Sequence, residues 1–323
     1  MEFRIQENMR FNSIDQIKIV YMGTPSISSK VLEGLINNNF NIVALVTNED
    51  KAVGRKKILE PTPCKKVALE RGIKVFQPHR IKDDYSFLKE IDFDLILTMA
   101  YGQIVPKGVL ECPKIGCLNL HGSILPKYRG AAPIQRAIMN GDKTTGITLM
   151  EMVEKMDAGR MYDKEEVIIE DNDNYSSICD KLSLASIKVA TRSILDYANG
   201  ELPGIEQDES EVTFANKIKP EDEHLPIKEL NCKQFNDYVR GLSLVPGAYS
   251  FIDNLKFKIF ASHTFSKEIK GEVGQIVLMK KGVYVQLKDG IVLLDKVQLE
   301  GKKEMDGLSF SNGSHYLEGK VLS

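Results

Sequence analysis

The stretch Asn119-Leu120-His121-Gly122-Ser123-Ile124-Leu125-Pro126-Lys127-Tyr128-Arg129-Gly130 decides how the rest of the chain is read. It lies between a strand-like run, Gly116 to Leu120, and a helix-like run, Ala131 to Met139. Asn119 and His121 are two residues apart, so on an extended backbone both side chains leave one face. An amide donor beside a titratable imidazole at the C-terminal end of a strand suits chemistry at a carbonyl. The amide can hold a developing oxyanion, and the imidazole can donate to it or move a proton. Residue types alone leave a plainer reading open, in which Asn119 turns the chain and His121 caps a neighbouring group. Gly122, Pro126 and Gly130 are backbone-shaping rather than core positions, and they shift the balance towards a site.

Working outward, Gln16 to Met22 is a β-branched run ending at Gly23-Thr24-Pro25, followed by Val31, Leu32, Leu35 and Ile36 at helix spacing. Ile42 to Thr47 reads as a second strand. Thr62 can cap a helix that has Pro63 in its first turn. Ile73 to Phe76, Asp94 to Met99, Gly116 to Leu120 and Gly146 to Met152 supply further strands. Strands alternating with helices imply a doubly wound, mostly parallel α/β sheet of Rossmann-like type. Ligands of such sheets sit beyond the carboxyl ends of the strands. Asn119 and His121 fall at such an end, and Asp157 follows the next strand, so all three are expected on one rim. The first strand–helix turn has only Gly23 and lacks G-x-G-x-x-G, which argues against a dinucleotide.

Asn-Leu-His-Gly-Ser-Ile-Leu-Pro-Lys-Tyr-Arg-Gly-Ala-Ala-Pro-Ile-Gln, residues 119–135, resembles the signature of the folate-dependent formyltransferases, most closely the methionyl-tRNA formyltransferases. The Asp-x-Gly that the family pattern also asks for is present as Asp157-Ala158-Gly159. The similarity runs from Met22-Gly23-Thr24-Pro25 to Gly301-Lys302-Lys303-Glu304-Met305. It is dense in the first two thirds and sparse after about residue 216. The resemblance implies catalytic roles for Asn119, His121 and Asp157. It implies a folate site lined by the backbone of Ser123, Ile124, Leu125 and Pro126. The donor would be 10-formyltetrahydrofolate and the acceptor methionyl-initiator tRNA, in the cytoplasm. No metal and no Cys or Ser nucleophile is implied. One departure stands out. Where the family has an aromatic Asn-Pro-Trp-Pro segment, this chain has Ser243-Leu244-Val245-Pro246.

Asn48 to Pro61 is a long connection, since strand–helix turns in such sheets are typically ~2–6 residues. It carries Lys51, Arg55, Lys56 and Lys57 around Gly54. Composition by itself reads this as a solvated charged loop. The resemblance implies that Arg55, Lys56 and Lys57 belong to an inserted basic loop that reaches the tRNA acceptor stem.

Tyr175 to Ala198 reads as one long helix, with Ile178, Leu182, Leu184, Ile187, Ala190 and Ile194 on its apolar side and Asn199-Gly200 as its stop. Glu201 to Glu211 is acidic with Pro203 and Gly204, and reads as a linker. From Gly247 onward, five short strand-like runs separated by Gly and Asn turns fit a small closed barrel of OB type. The expected domains are an N-terminal extension (1–16), a formyltransferase catalytic domain (17–200), a linker (201–215) and an OB-like domain (216–323).

The net charge of −2 excludes a globally basic nucleic-acid binder, so any RNA contact must be local. Residues 216–323 hold 16 Lys/Arg against 14 Asp/Glu and are not a basic domain either. No run is apolar and long enough to span a bilayer, and residues 1–16 lack the apolar stretch of a secretory signal. Five cysteines, an odd number in a large chain, suggest a reducing compartment, and Cys112 and Cys117 have no second pair for a zinc site. A monomer is expected. Two rivals to the tRNA reading remain: a formyltransferase acting on a sugar-nucleotide amine, and a non-catalytic RNA-binding module built on the barrel. The intact Asn119, His121 and Asp157 set opposes the second.

Overall fold

The computed structural model describes residues 10–54, 58–265 and 271–323. They form two compact units. One comprises residues up to 131, 145–167 and 179–215, and the other residues 132–144, 168–178 and 216–323. In chain order the elements as far as residue 198 are β1 (Lys18–Gly23), α1 (Ser26–Asn37), β2 (Asn41–Val46), β3 (Lys51–Val53), β4 (Ile58–Glu60), α2 (Pro63–Glu70), β5 (Lys74–Phe76), β6 (Leu95–Met99), α3 (Lys107–Leu110), β7 (Gly116–His121), α4 (Pro133–Met139), β8 (Thr144–Glu151), β9 (Met161–Ile168) and α5 (Tyr175–Ala198).

Seven strands make one sheet in the order β5-β2-β1-β6-β7-β8-β9. Its centre is parallel, as the alternating pattern predicts: β1 pairs β2 and β6, and β6 pairs β7, all parallel. These central strands are apolar on both faces because helices cover both. All five residues of β6 are buried. By contrast β9, at the edge, alternates between half-buried and exposed positions over its second half.

The structure corrects the rim expectation in one respect. β8 runs antiparallel to β7, with Leu118 opposite Glu151 and His121 opposite Thr148. The C-terminal end of β8 therefore lies beside Cys117, where the Met152 N–H donates to the Cys117 carbonyl, and not beside His121. Residues 152–160 must double back to carry Asp157 to the other end. α5 brings a second correction, because Leu184 is 71% exposed while Ala185 and Val189 are buried. The buried face holds Ser183 and Ser186 beside Ile178, Leu182, Val189 and Ile194, and the two serines donate their hydroxyls back to the Cys179 and Leu182 carbonyls. That habit makes serine tolerable inside a helix and hides it from an apolar count. The long connection from Asn48 to Pro61 contains the β3–β4 hairpin, with Lys51 opposite Glu60.

In the second unit α4 packs on α6 (Cys232–Gly241), whose N-cap Asn231 accepts from the Gln234 N–H while Gln234 accepts from the Asn231 N–H. The reciprocal pair satisfies two helix-end donors. Phe235, Val239 and Leu242 repeat at helical spacing and are fully buried, each worth ~1.5–3 kcal/mol relative to exposure. They join the core of an antiparallel sheet built from β10 (Ala248–Ile252), β11 (Leu255–Phe265), β12 (Ile276–Met279), β13 (Gly282–Leu287) and β14 (Gly290–Leu299), with β15 (Met305–Asp306) added to β14 and α7 (Gly307–Gly313) following. The pairing order is β10-β11-β14-β13-β12. β10 does not pair with β12. Residues 320–323 bridge the gap: Ile276 N donates to the Lys320 carbonyl, Leu322 N to Gly274, and Phe251 and Ser323 exchange both backbone bonds.

Candidate active site

Asn119 and His121 lie on β7 and leave the same face of the strand. Asn119 is half-buried, and its side-chain amide has no hydrogen-bond partner among the described residues. It is a half-buried donor without an acceptor among the described residues, the arrangement an incoming carbonyl oxygen requires. His121 is 5% exposed and held from both sides. Its Nε2 lies 3.0 Å from the Tyr128 carbonyl, which can only accept, so Nε2 carries a proton. Its Nδ1 then faces Asp157, whose Oδ1 lies 3.7 Å away, too far for a hydrogen bond and close enough for a strong charge interaction.

Asp157 sits at φ 50, a left-handed conformation uncommon for any residue with a side chain. Three bonds hold the 157–159 loop there. Asp157 Oδ2 accepts from the Gly130 N–H at 2.8 Å, and the Asp157 carbonyl and that of Gly159 both accept from the Gln207 side-chain amide. Gly159 is needed because a Cβ there would stand 2.1 Å from the Glu151 carbonyl. The Asp-x-Gly spacing is thus a loop that folds back over the end of β8. Burial pushes the Glu151 carboxyl above its ordinary value. Gly130, at φ +125, abuts the Ala215 backbone, where a Cβ would meet the carbonyl at 2.7 Å.

The segment 123–130 is tied down along its length. Ser123 donates its hydroxyl to the Lys127 carbonyl, and the Thr148 hydroxyl donates to the Ser123 carbonyl while accepting from Leu125 N–H. Ser123 and Leu125 are buried, whereas Ile124 and Pro126 are half-buried. Of the four residues expected to line a folate site, Ile124 and Pro126 therefore offer surface, and Ser123 and Leu125 hold the loop's shape. At the far end Thr213 holds Tyr128 N–H through its hydroxyl and Arg129 N–H through its carbonyl, and Ala215 N–H donates to the Arg129 carbonyl.

Two family descriptions match the chain: "Formyl transferase" over residues 16–194 and "Formyl transferase, C-terminal domain" over residues 217–315. The chain belongs to the formyltransferase family. This formyltransferase is 41% identical over 309 residues to the methionyl-tRNA formyltransferase of Bacillus subtilis, covering 94% of this chain and 97% of that one. It is 40% identical over 299 residues to the methionyl-tRNA formyltransferase of Mesoplasma florum, covering 92% and 95%. Its fold resembles that of an N-formyltransferase from Helicobacter canadensis solved with folinic acid and dTDP-3-aminofucose, at a TM-score of 0.65 and 18% identity over 86% of this chain and 98% of that chain. It also resembles HypX from Aquifex aeolicus, solved with tetrahydrofolic acid, at 0.64 and 17% identity over 90% of this chain and 46% of that chain.

The fold of this formyltransferase brings together Asn119, His121, Asp157 and the 123–126 segment. Arg55, Lys56 and Lys57 lie outside the described residues. In the hairpin strands that lead to and from them, Lys51, Ala52, Ile58, Leu59 and Glu60 are exposed, Ile58 and Leu59 at 60% and 69%. The hairpin's base is anchored by Asp50, which accepts from Lys65 Nζ at 2.6 Å and from the Gln77 amide at 2.7 Å. Those bonds, that of Lys65 foremost, hold the Asp50 carboxyl below its ordinary value.

Residue-by-residue reading of the sequence did not single out Thr148, Thr213 or Gln207. Thr148 sits in an apolar strand, and the other two lie in a segment that composition marks as linker, so neither context carries a chemical signal. His79 pairs with Glu49 and His263 with Asp295, both at 2.8 Å, and His224 donates to the Ser323 carbonyl. Among the described residues no group of three or more His, Cys, Asp or Glu could hold a metal ion, and no helix is long and apolar enough to cross a membrane.

Proposed function

We infer that this formyltransferase moves the formyl group of 10-formyltetrahydrofolate to the amine of methionyl-initiator tRNA, giving N-formylmethionyl-tRNA for translation initiation in the cytoplasm. The observation that carries this reading is the identity of about 40% to methionyl-tRNA formyltransferases across more than nine tenths of the chain. Catalysis belongs to residues 17–200, and residues 216–323 serve the tRNA.

The chemistry is attack of a neutral amine on the formyl carbon, which leaves a negative oxygen and a positive nitrogen. Asn119 donates to that oxygen with its unpartnered amide. His121 takes the amine's proton at Nδ1, the ring nitrogen not committed to the Tyr128 carbonyl. Donation by His121 Nε2 to the oxyanion would first require that bond to be exchanged. Asp157 stabilises the imidazolium from 3.7 Å, and the proton passes on to the leaving nitrogen. Ile124 and Pro126 line the donor's site. Arg55, Lys56 and Lys57, between the strands of an exposed hairpin with an anchored base, reach the acceptor stem.

The test is formyl transfer from 10-formyltetrahydrofolate to methionyl-initiator tRNA, run beside a sugar-nucleotide amine as acceptor. Formylation of the tRNA alone supports the reading, and formylation of the sugar alone removes it.

A further inference from the structure

Gln207 lies in the stretch that composition marks as a linker, yet it is only 8% exposed and both polar atoms of its amide are bonded. Its two N–H groups go to the Asp157 carbonyl at 2.9 Å and the Gly159 carbonyl at 2.8 Å. Its Oε1 accepts from Arg129 Nε at 2.9 Å. The amide orientation is unambiguous, since the reverse would set oxygen against two carbonyls and NH2 against a guanidinium. Arg129 is itself 1% exposed and is pinned further by Glu209, whose carboxyl Arg129 and Lys155 hold down to about 2.

One side chain therefore joins two loops that are 27 residues or more apart in sequence and that flank His121. The 157–159 loop presents a carboxylate to Nδ1, and the 128–130 loop presents the Tyr128 carbonyl to Nε2. Asp157 occupies a left-handed conformation that a non-glycine residue keeps only when its surroundings over-determine it. Gly130 N–H fixes the carboxylate end of Asp157, and Gln207 fixes its backbone end.

We propose that Gln207 is a positioning residue for the reaction: it sets the distance between Asp157 and His121 by clamping the two loops that carry Asp157 and the Tyr128 carbonyl. This rests on the reading of Asp157 as the partner of His121. Without the amide two carbonyls lose their donor, and a displacement of about 1 Å at a catalytic pair can cost ~10²-fold in rate.

The experiment measures formyl transfer by the full chain with Gln207→Met and Gln207→Glu, alone and combined with Asp157→Asn, together with the melting temperature of each. Met matches Gln in length and forms no hydrogen bonds. Glu keeps the acceptor for Arg129 but removes both donors, and it serves where the Met variant is insoluble. The expected result is a fall in kcat of roughly 10–10²-fold with each variant while the KM for 10-formyltetrahydrofolate changes by less than about threefold. The second expectation is non-additivity, with Gln207→Met costing little further kcat once Asp157 is already Asn. A folded Gln207 variant with wild-type kcat overturns the proposal, and so does a double variant whose loss equals the product of the two single losses. If Asp157→Asn itself keeps wild-type turnover, the fault lies in the catalytic reading and not in the clamp.

Discussion

Asp157→Asn separates charge from shape at this site. Asparagine tolerates the left-handed backbone that Asp157 occupies better than alanine would, so the turn at φ 50 survives. Its amide oxygen can take over the bond from Gly130 N–H, and its NH2 then faces the Nδ1 lone pair of His121. The fold loses nothing it needs, and the reaction loses a carboxylate 3.7 Å from the ring nitrogen that becomes charged. At an effective dielectric of about 20, unit charges ~4 Å apart interact by about 4 kcal/mol. The Asp157 side chain is 15% exposed, so solvent screens part of this. An interaction of ~2–4 kcal/mol corresponds to a fall in kcat of roughly 30-fold to 10³-fold. The assay is single-turnover formyl transfer to methionyl-initiator tRNA at saturating donor, with a melting curve on the same preparation. Turnover within about threefold of wild type would refute the electrostatic reasoning. A collapse of the melting temperature with full activity per folded molecule would make Asp157 a turn residue only.

Asn119→Ala removes an amide donor that has no partner among the described residues, so kcat should fall by roughly 10²–10³-fold with little change in donor affinity, measured by steady-state kinetics and donor titration. His121→Ala should cost a comparable factor, and a much smaller loss would assign the reaction's protons to another group. Arg55→Ala should weaken binding of charged tRNA and flatten its salt dependence by about one unit or slightly less, with Lys57→Ala milder and donor binding unchanged; identical slopes in wild type and variant would return the loop to solvated charge. At the hairpin base, the folded-state carboxyl of Asp50 is held below its unfolded value by Lys65, so its contribution to stability is present above an unfolded pKa of ~4 and is lost as pH falls through the folded value. Asp50→Asn should therefore lower the melting temperature at pH 7, and the gap to wild type should close in acid.

Local chemistry in the sequence was enough for the central parallel sheet, because strands buried on both faces must be written as unbroken apolar runs such as Leu95 to Met99. It was also enough for the Thr62–Pro63 helix start, since caps depend on residues within a turn of each other. Asn119 and His121 were legible as a pair for the same reason, being neighbours on one face of one strand. The direction of β8 was not legible. A strand's residues state that it is buried, and only its partner states which way it runs. The route by which Asp157 reaches His121 is therefore a tertiary fact. So is the exposure of Leu184, on a helix that instead buries Ser183 and Ser186 and bonds them to its own backbone. Gln207 is the extreme case. Its amide matters because Arg129, Asp157 and Gly159, between 48 and 78 residues away in sequence, converge on it. No window of sequence holds all four, so only the folded chain brings a polar residue of an acidic connector against the loops of Arg129 and Asp157.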